Sequence, residues 1–249
     1  SRGWYAGGIS VVTYVPVVIR DSVISNNSLA PGIISGGGGI LIWPESALIE
    51  SSVVVGNMAS GNISRAGGVT SLGGSLQIWD SQISDNVAVL SGGGAAPHTF
   101  ESGGGIAIQS GSATIARSVI ARNQAEGVGG GISSYHSNLV VIDSTVVENS
   151  SYGGGGIAAI GGDVEIVRST VSGNVATAWL PTIFWRGDGG GSLGWDVRIV
   201  DCTIEGNTAV RGGGVFGSRF TITGTTISGN AAESGGGLWL QGGTIDQTT

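Results

Sequence analysis

The eleven residues Phe220-Thr221-Ile222-Thr223-Gly224-Thr225-Thr226-Ile227-Ser228-Gly229-Asn230 decide the fold, because their pattern already stands at Val164-Glu165-Ile166-Val167-Arg168-Ser169-Thr170-Val171-Ser172-Gly173-Asn174. Taking the final Asn as anchor, the pattern extends over the whole chain, at Asn27, Asn57, Asn86, Asn123, Asn149, Asn174, Asn207 and Asn230. Successive spacings are 30, 29, 37, 26, 25, 33 and 23 residues. Three residues before each Asn stands Ile or Val, five before it Ser, Cys202 or Thr225, and eight before it Ile or Val again. Ten before it is another apolar residue, from Val17 to Phe220. After each Asn comes a segment of variable length, then a glycine run, then in most copies an aliphatic residue such as Ile40, Ile106 or Val215; the copy at Gly189-Gly190-Gly191 places Ser192 there instead.

Apolar residues at alternate positions, rich in Ile and Val, in segments of about five residues specify strands. A repeat near 29 residues, with insertions confined to one place in each copy, specifies a solenoid whose equivalent positions stack. The sequence thus predicts an all-β, right-handed parallel β-helix over residues 1–249 as a single domain, or a segment of a longer solenoid, with eight to nine coils of three short strands. Each coil adds about 4.8 Å, the inter-strand spacing. The aliphatic columns become the core, and the Asn and Ser columns become hydrogen-bonded ladders along the axis. The glycines supply positive φ at a tight corner that has no room for a Cβ. Six residues before the anchors, Asp80, Arg117, Asp143, Arg168 and Asp201 alternate in sign, as stacked outward side chains should.

Gly-Gly-Gly-Ile followed by Ile/Val-x-x-Asn resembles the repeats of the polymorphic outer membrane proteins, which read Gly-Gly-Ala-Ile with Phe-x-x-Asn. Thr226-Ile227-Ser228-Gly229-Asn230-Ala231-Ala232 is similar to secreted bacterial right-handed parallel β-helix repeat proteins. The resemblance implies the handedness and an extracellular or cell-surface location. It does not imply one activity, since such repeats occur in adhesins, passenger domains and polysaccharide-active enzymes.

Composition excludes several classes. Gly accounts for 49 of 249 residues, and charged residues are 11 %. All ten basic residues are Arg, the net charge is −7, and no basic cluster exists, which argues against nucleic acid and anionic membrane as partners. One cysteine excludes an internal disulfide framework, and no apolar run approaches the ~18 residues of a transmembrane segment. No ligand spacing for a metal, no nucleotide-binding context and no catalytic cluster is present, so no cofactor, metal or catalytic residue is expected. Cys202 fills a place in the small-residue column.

The two long insertions, 95–102 and 175–188, carry the candidate binding residues: His98, Phe100 and Glu101 in the first, and Trp179, Phe184, Trp185, Arg186 and Asp188 in the second. Aromatic rings beside Arg and carboxylates suit stacking on sugars or contact with a protein. The expectation is a non-enzymatic structural or adhesive solenoid forming a fibre, stalk or surface layer by end-to-end stacking. The partner is then a second copy or a flanking solenoid of the same polypeptide, with carbohydrate or a host surface as further ligands. The alternative is a polysaccharide-binding or polysaccharide-cleaving β-helix protein working through those loops. The stacking expectation comes from the phase of the repeat. Thr244-Ile245-Asp246-Gln247-Thr248-Thr249 superposes on residues 221–226, just before an Ile-x-x-Asn strand, and Ala6-Gly7-Gly8-Ile9 matches the glycine-run strand, with no capping segment at either side.

Overall fold

The computed structural model describes residues 5–13, 15–32, 36–61, 65–90, 102–177 and 188–249. These form an all-β solenoid of parallel strands in three sheets of 15, 8 and 8 strands. The second coil shows the plan. The glycine run leads into Ile40–Trp43, a short turn leads to Ser46–Glu50, a corner leads to Val53–Val55, and a second corner leads to Met58–Gly61. The first two strands of every coil belong to one long sheet, the third to a middle sheet and the fourth to a third sheet. In the last three coils the turn inside the long sheet disappears, and Ser192–Val200, Val215–Thr223 and Leu238–Asp246 are single nine-residue strands. Registers follow the repeat residue for residue: Ile83 pairs with Val54 on one side and Ile120 on the other.

Both corners around the middle sheet need left-handed backbone. Six residues before the anchor Asn, the chain takes φ of 45–59° at Asp21, Ser51, Asp80, Arg117, Asp143, Arg168, Asp201 and Gly224. One residue before the anchor it does so again, at Asn26, Gly56, Asp85, Arg122, Glu148, Gly173, Gly206 and Gly229. Sequence reading assigned positive φ to the glycine run. In the run of the fifth coil only Gly129 has it (φ 73°); the two that follow are glycine for lack of space. One coil further on, a Cβ on Gly155 would stand 2.5 Å from the carbonyl carbon of Val175, and one on Gly156 3.0 Å from the amide carbon of Asn174.

The core is a rod of stacked aliphatics. Ile49, Ile78, Ile115, Val141, Ile166, Ile199 and Ile222 form one column, fully buried, and Val54, Ile83, Ile120, Val146, Val171 and Ile204 a second. Ser192 interrupts the column of Ile40, Val69, Ile106, Ile132, Ile157 and Val215; it is buried and its hydroxyl has no hydrogen-bond partner.

Two polar ladders lie beside this rod. Each anchor Asn donates its backbone N–H and one side-chain N–H to the Oδ1 of the next Asn, at 2.9–3.0 Å for every step from Asn27 to Asn230. The other side-chain N–H goes to the carbonyl of the aliphatic residue one coil back, as from Asn149 to Ile120 at 2.9 Å. The interior amides are thereby saturated, which is what lets six of them, from Asn57 to Asn207, sit at no more than 1 % exposure. In the small-residue column each backbone N–H donates to the next hydroxyl, from Ser22 through Ser52, Ser81, Ser118 and Ser144 to Ser169, at 3.1–3.2 Å. Cys202 continues the ladder, its Sγ accepting from Ser169 and its N–H donating to Thr225. Burial pushes its thiol up from the ordinary value.

Candidate functional site

A concavity of about 640 Å³ runs along the axis on the second half of the long sheet. Its shape follows from strand geometry. Alternate side chains point outward, so a furrow forms between two outward columns, floored by the residues whose side chains point inward. The floor is Leu139, Val164, Val197, Phe220 and Gly243; one wall is Asn138, Asp163, Asp196 and Arg219, and the other Val140, Glu165, Arg198, Thr221 and Thr244. Gly242 ends the first wall without a side chain, so the furrow is open at the last coil.

Charges in the walls are organised along each column. Arg198 binds Glu165 one rung below it, and Arg219 binds Asp196 one rung below it. Arg198, Arg211 and Arg219 stand at different positions relative to the anchor Asn of their coils. The columns are indeed separate, yet Arg198 and Arg219 flank the same furrow. Asp163 differs from its neighbours: it stands directly below Asp196 in the register, and no ion pair to it is present among the described residues. Its backbone N–H donates to Asn138 Oδ1 at 3.2 Å.

This arrangement was legible in the sequence, in columns eleven and nine residues before each anchor. The first reads Ser46, Ser75, Ser112, Asn138, Asp163, Asp196, Arg219 and the second Leu48, Gln77, Thr114, Val140, Glu165, Arg198, Thr221. Charged residues enter both columns only from the sixth coil onward, at Asp163 and Glu165.

The corner columns behave as the alternating signs require. Arg117 binds Asp80 through Nε and Nη2, each at 2.7 Å, and Arg168 binds Asp143 at 2.8 and 2.9 Å. A parallel pair, Arg122 with Asp85, occupies the second corner. The hydrogen bonds from these guanidinium groups hold the Asp80, Asp85 and Asp143 carboxyls below their ordinary value.

Of the loop candidates, His98, Phe100, Glu101, Trp179, Phe184, Trp185 and Arg186 lie outside the described residues. Asp188, at the end of the second insertion, is fully buried and takes a two-pronged ion pair from Arg211 at 2.8 and 2.6 Å. Arg211 in turn lies over the rings of Phe216 and Trp239, which stack on each other at 4.5 Å. Burial pushes the Asp188 carboxyl up, while Arg211 pulls it down. The pair anchors the glycine-run corner against a small outer apolar cluster of Val128, Ala158, Leu193 and Phe216. Its carboxylate is taken up within the fold.

A second hollow of about 450 Å³ lies between Trp43, Leu72, Gly73 and Ser110, where buried Arg65 binds Gln109. Among the described residues no group of three or more His, Cys, Asp and Glu side chains is placed to hold a metal. Among the described residues no helix is long and apolar enough to cross a membrane. The chain matches no protein-family model, no curated protein and no solved structure.

Proposed function

We propose that this chain is a non-enzymatic structural or adhesive solenoid, working at a cell surface or outside the cell, that extends by head-to-tail stacking on a second copy or on a flanking solenoid of the same polypeptide. The observation that carries this reading is the polarity of the two ladders. Every rung donates toward the higher-numbered coil, so the face at Asn230 presents an N–H and an amide hydrogen, and the face at Asn27 presents an amide oxygen. Donation in the small-residue column runs the same way, from the Ser22 N–H at one end to the Thr225 hydroxyl, which accepts from Cys202. A flanking coil of the same polypeptide continues the ladder directly; a second copy seated on Leu238–Asp246 in the same orientation keeps the ladder's direction with one Asn rung missing between Asn230 and Asn27, whereas an inverted copy opposes it. The apolar columns are also uncovered at both faces, with Ile9, Val11, Val17 and Ile19 half-buried at one and Ile227, Leu238 and Leu240 at the other. Unpaired strand edges with such columns template further strands. A joint on Leu238–Asp246 pairs the long sheet and leaves one rung of the middle sheet and one of the third sheet without a described strand.

The experiment is sedimentation velocity over a hundredfold range of concentration, with electron microscopy of the same samples. Rods of constant width that lengthen with concentration are expected, and Leu240→Glu at the last coil should return them to monomers with an unchanged β signal in circular dichroism. A chain that stays monomeric at high concentration, with its first and last coils both protected from hydrogen exchange, overturns the stacking. The alternative of a polysaccharide-binding or polysaccharide-cleaving protein is favoured by a different observation, the axial furrow; release of reducing ends from a glycan would place the protein among enzymes.

A further inference from the structure

We propose that the axial furrow between the Asp163–Asp196–Arg219 and Glu165–Arg198–Thr221 columns is a binding site for one linear, neutral, hydroxyl-rich glycan, lying parallel to the solenoid axis. The proposal deepens the adhesive reading and rests on it for its use. A single molecule contains the whole furrow, so glycan binding and stacking fail separately.

Shape gives the first argument. The furrow spans five rungs from Asn138 to Gly242, about 19 Å at one inter-strand spacing per rung, and it is open along its length. That suits an extended chain rather than a compact ligand. Its floor from Leu139 to Phe220 is backbone already paired on both edges in the long sheet, and the one free edge, at Leu238–Asp246, faces along the axis, so a peptide strand lying in the furrow finds no free ladder there.

Charge gives the second. Both guanidinium groups in the walls pair with carboxylates of their own column, Arg198 with Glu165 and Arg219 with Asp196, and Asp163 adds a further negative charge, so the walls carry a net charge of about −1 that disfavours a sugar acid. What remains is a set of acceptors for hydroxyl groups: Asp163, the outer lone pairs of Asp196 and Glu165, the Asn138 amide, and the hydroxyls of Thr221 and Thr244.

The third argument is a departure from the molecule's own rule. Elsewhere among the described residues stacked carboxylates are separated by Arg or by an uncharged residue, as in Asp80, Arg117, Asp143 and Arg168. Only Asp163 stands directly on another carboxylate, Asp196. Like charges on adjacent rungs are unfavourable, and a local rule broken without compensation inside the protein points to a functional position. Neighbouring hydroxyl groups of a sugar supply the missing donors, one to each carboxylate, with the charge-assisted bonds that a neutral wall lacks.

Isothermal titration calorimetry tests this with hexasaccharides: β- and α-linked glucose and β-linked mannose as neutral probes, hexagalacturonate as the anionic one and a chitosan hexamer as the cationic one. At least one neutral hexamer is expected to bind one to one, more tightly than the galacturonate and the chitosan, and to be recovered uncleaved. Asp163→Asn should weaken it about tenfold while circular dichroism stays unchanged and thermal unfolding is no earlier, because Asp163 is exposed, outside the ion pairs and stacked on the like charge of Asp196. Thr203→Arg on the middle sheet should change nothing. The site is overturned if no neutral hexamer binds, if the galacturonate or the chitosan binds more tightly, or if Asp163→Asn leaves the affinity intact.

Discussion

Removing one amide from the Asn ladder tests the reasoning about stability most directly. In Asn149→Ala four hydrogen bonds disappear. Two are donated by the side chain, to Ile120 O and Asn174 Oδ1. Two are accepted by it, from the N–H and Nδ2 of Asn123. At about 1 kcal/mol net for each, the loss is ~4 kcal/mol, and the fully buried groups left behind make that a lower bound. The comparison residue is Ser118, whose hydroxyl accepts from Ser81 and donates to the nearby carbonyl of Ala116, so that Ser118→Ala should cost about 1–2 kcal/mol. The sharper test is a double-mutant cycle. Asn123 and Asn149 share two of their bonds, so Asn123→Ala with Asn149→Ala should fall short of the summed single effects by about 2 kcal/mol. Asn57→Ala with Asn174→Ala, which share no bond, should add within ~0.5 kcal/mol. Urea denaturation followed by circular dichroism, with an unchanged slope across the variants, supplies the numbers. A single-site loss below 1 kcal/mol, or a coupling no larger for neighbours than for distant rungs, refutes the ladder as a stabilising unit.

Ser192→Val should raise stability by about 1–2 kcal/mol in the same assay, since it removes a buried unpartnered hydroxyl and completes the column between Ile157 and Val215. Gly155→Ala should cost about 3 kcal/mol or prevent folding, because its Cβ meets the Val175 backbone from three sides; a silent substitution there contradicts the close-approach account of the glycine run. Asp80, Asp85 and Asp143 have folded pKa values below the ordinary 3.8, so their contribution to stability is present above that pH and fades as pH falls below it. Carboxyl carbon NMR should show Arg168→Gln bringing Asp143 back toward 3.8 while Asp80 stays low.

How much of this was legible in the sequence depends on whether a column repeats by necessity or by local choice. The aliphatic and Asn columns are forced at every coil, because each rung must fill the same core cross-section and saturate the same amide. Eight copies of Ile/Val-x-x-Asn therefore suffice to set the register. The corners were harder. Left-handed backbone is tolerated by Asp, Asn, Ser and, at a cost, by Arg, so a column reading Asp21, Ser51, Asp80, Arg117, Asp143 and Arg168 looked like a charge pattern alone, although every member has positive φ. The glycine run was legible in one respect and not in the other: a corner without room for a Cβ is what the third-sheet backbone and the anchor amide of the next coil impose, while positive φ is confined to single positions such as Gly129 and Gly154. The furrow went unread because its two columns vary from coil to coil, and variation next to a strict repeat looks like ordinary surface. Asp188 shows the converse. A carboxylate at the foot of an aromatic loop suggested ligand contact, yet the aromatic partners of its Arg211 are Phe216 and Trp239 from neighbouring coils.

The polarity that organises the ladders also constrains how such a molecule meets its surroundings. A β-sheet face repeats every coil, but a ladder of amides has a donor face and an acceptor face, so the rod is directional even where its side wall is nearly uniform. Growth by stacking is then heterologous: the surface used by one unit differs from the surface it meets, and nothing in that geometry closes the assembly. Length is limited only by what terminates a face. The side wall adds no such direction over the middle sheet, where the outward positions Thr145, Thr170, Thr203 and Thr226 repeat one residue type on adjacent rungs. Along the furrow the rungs differ, Asn138, Asp163, Asp196 and Arg219 in turn, so a chain lying there meets a sequence of distinct groups with a defined order. In the proposed function, extension and recognition would use different columns of the same coil, and a substitution in one would leave the other in register.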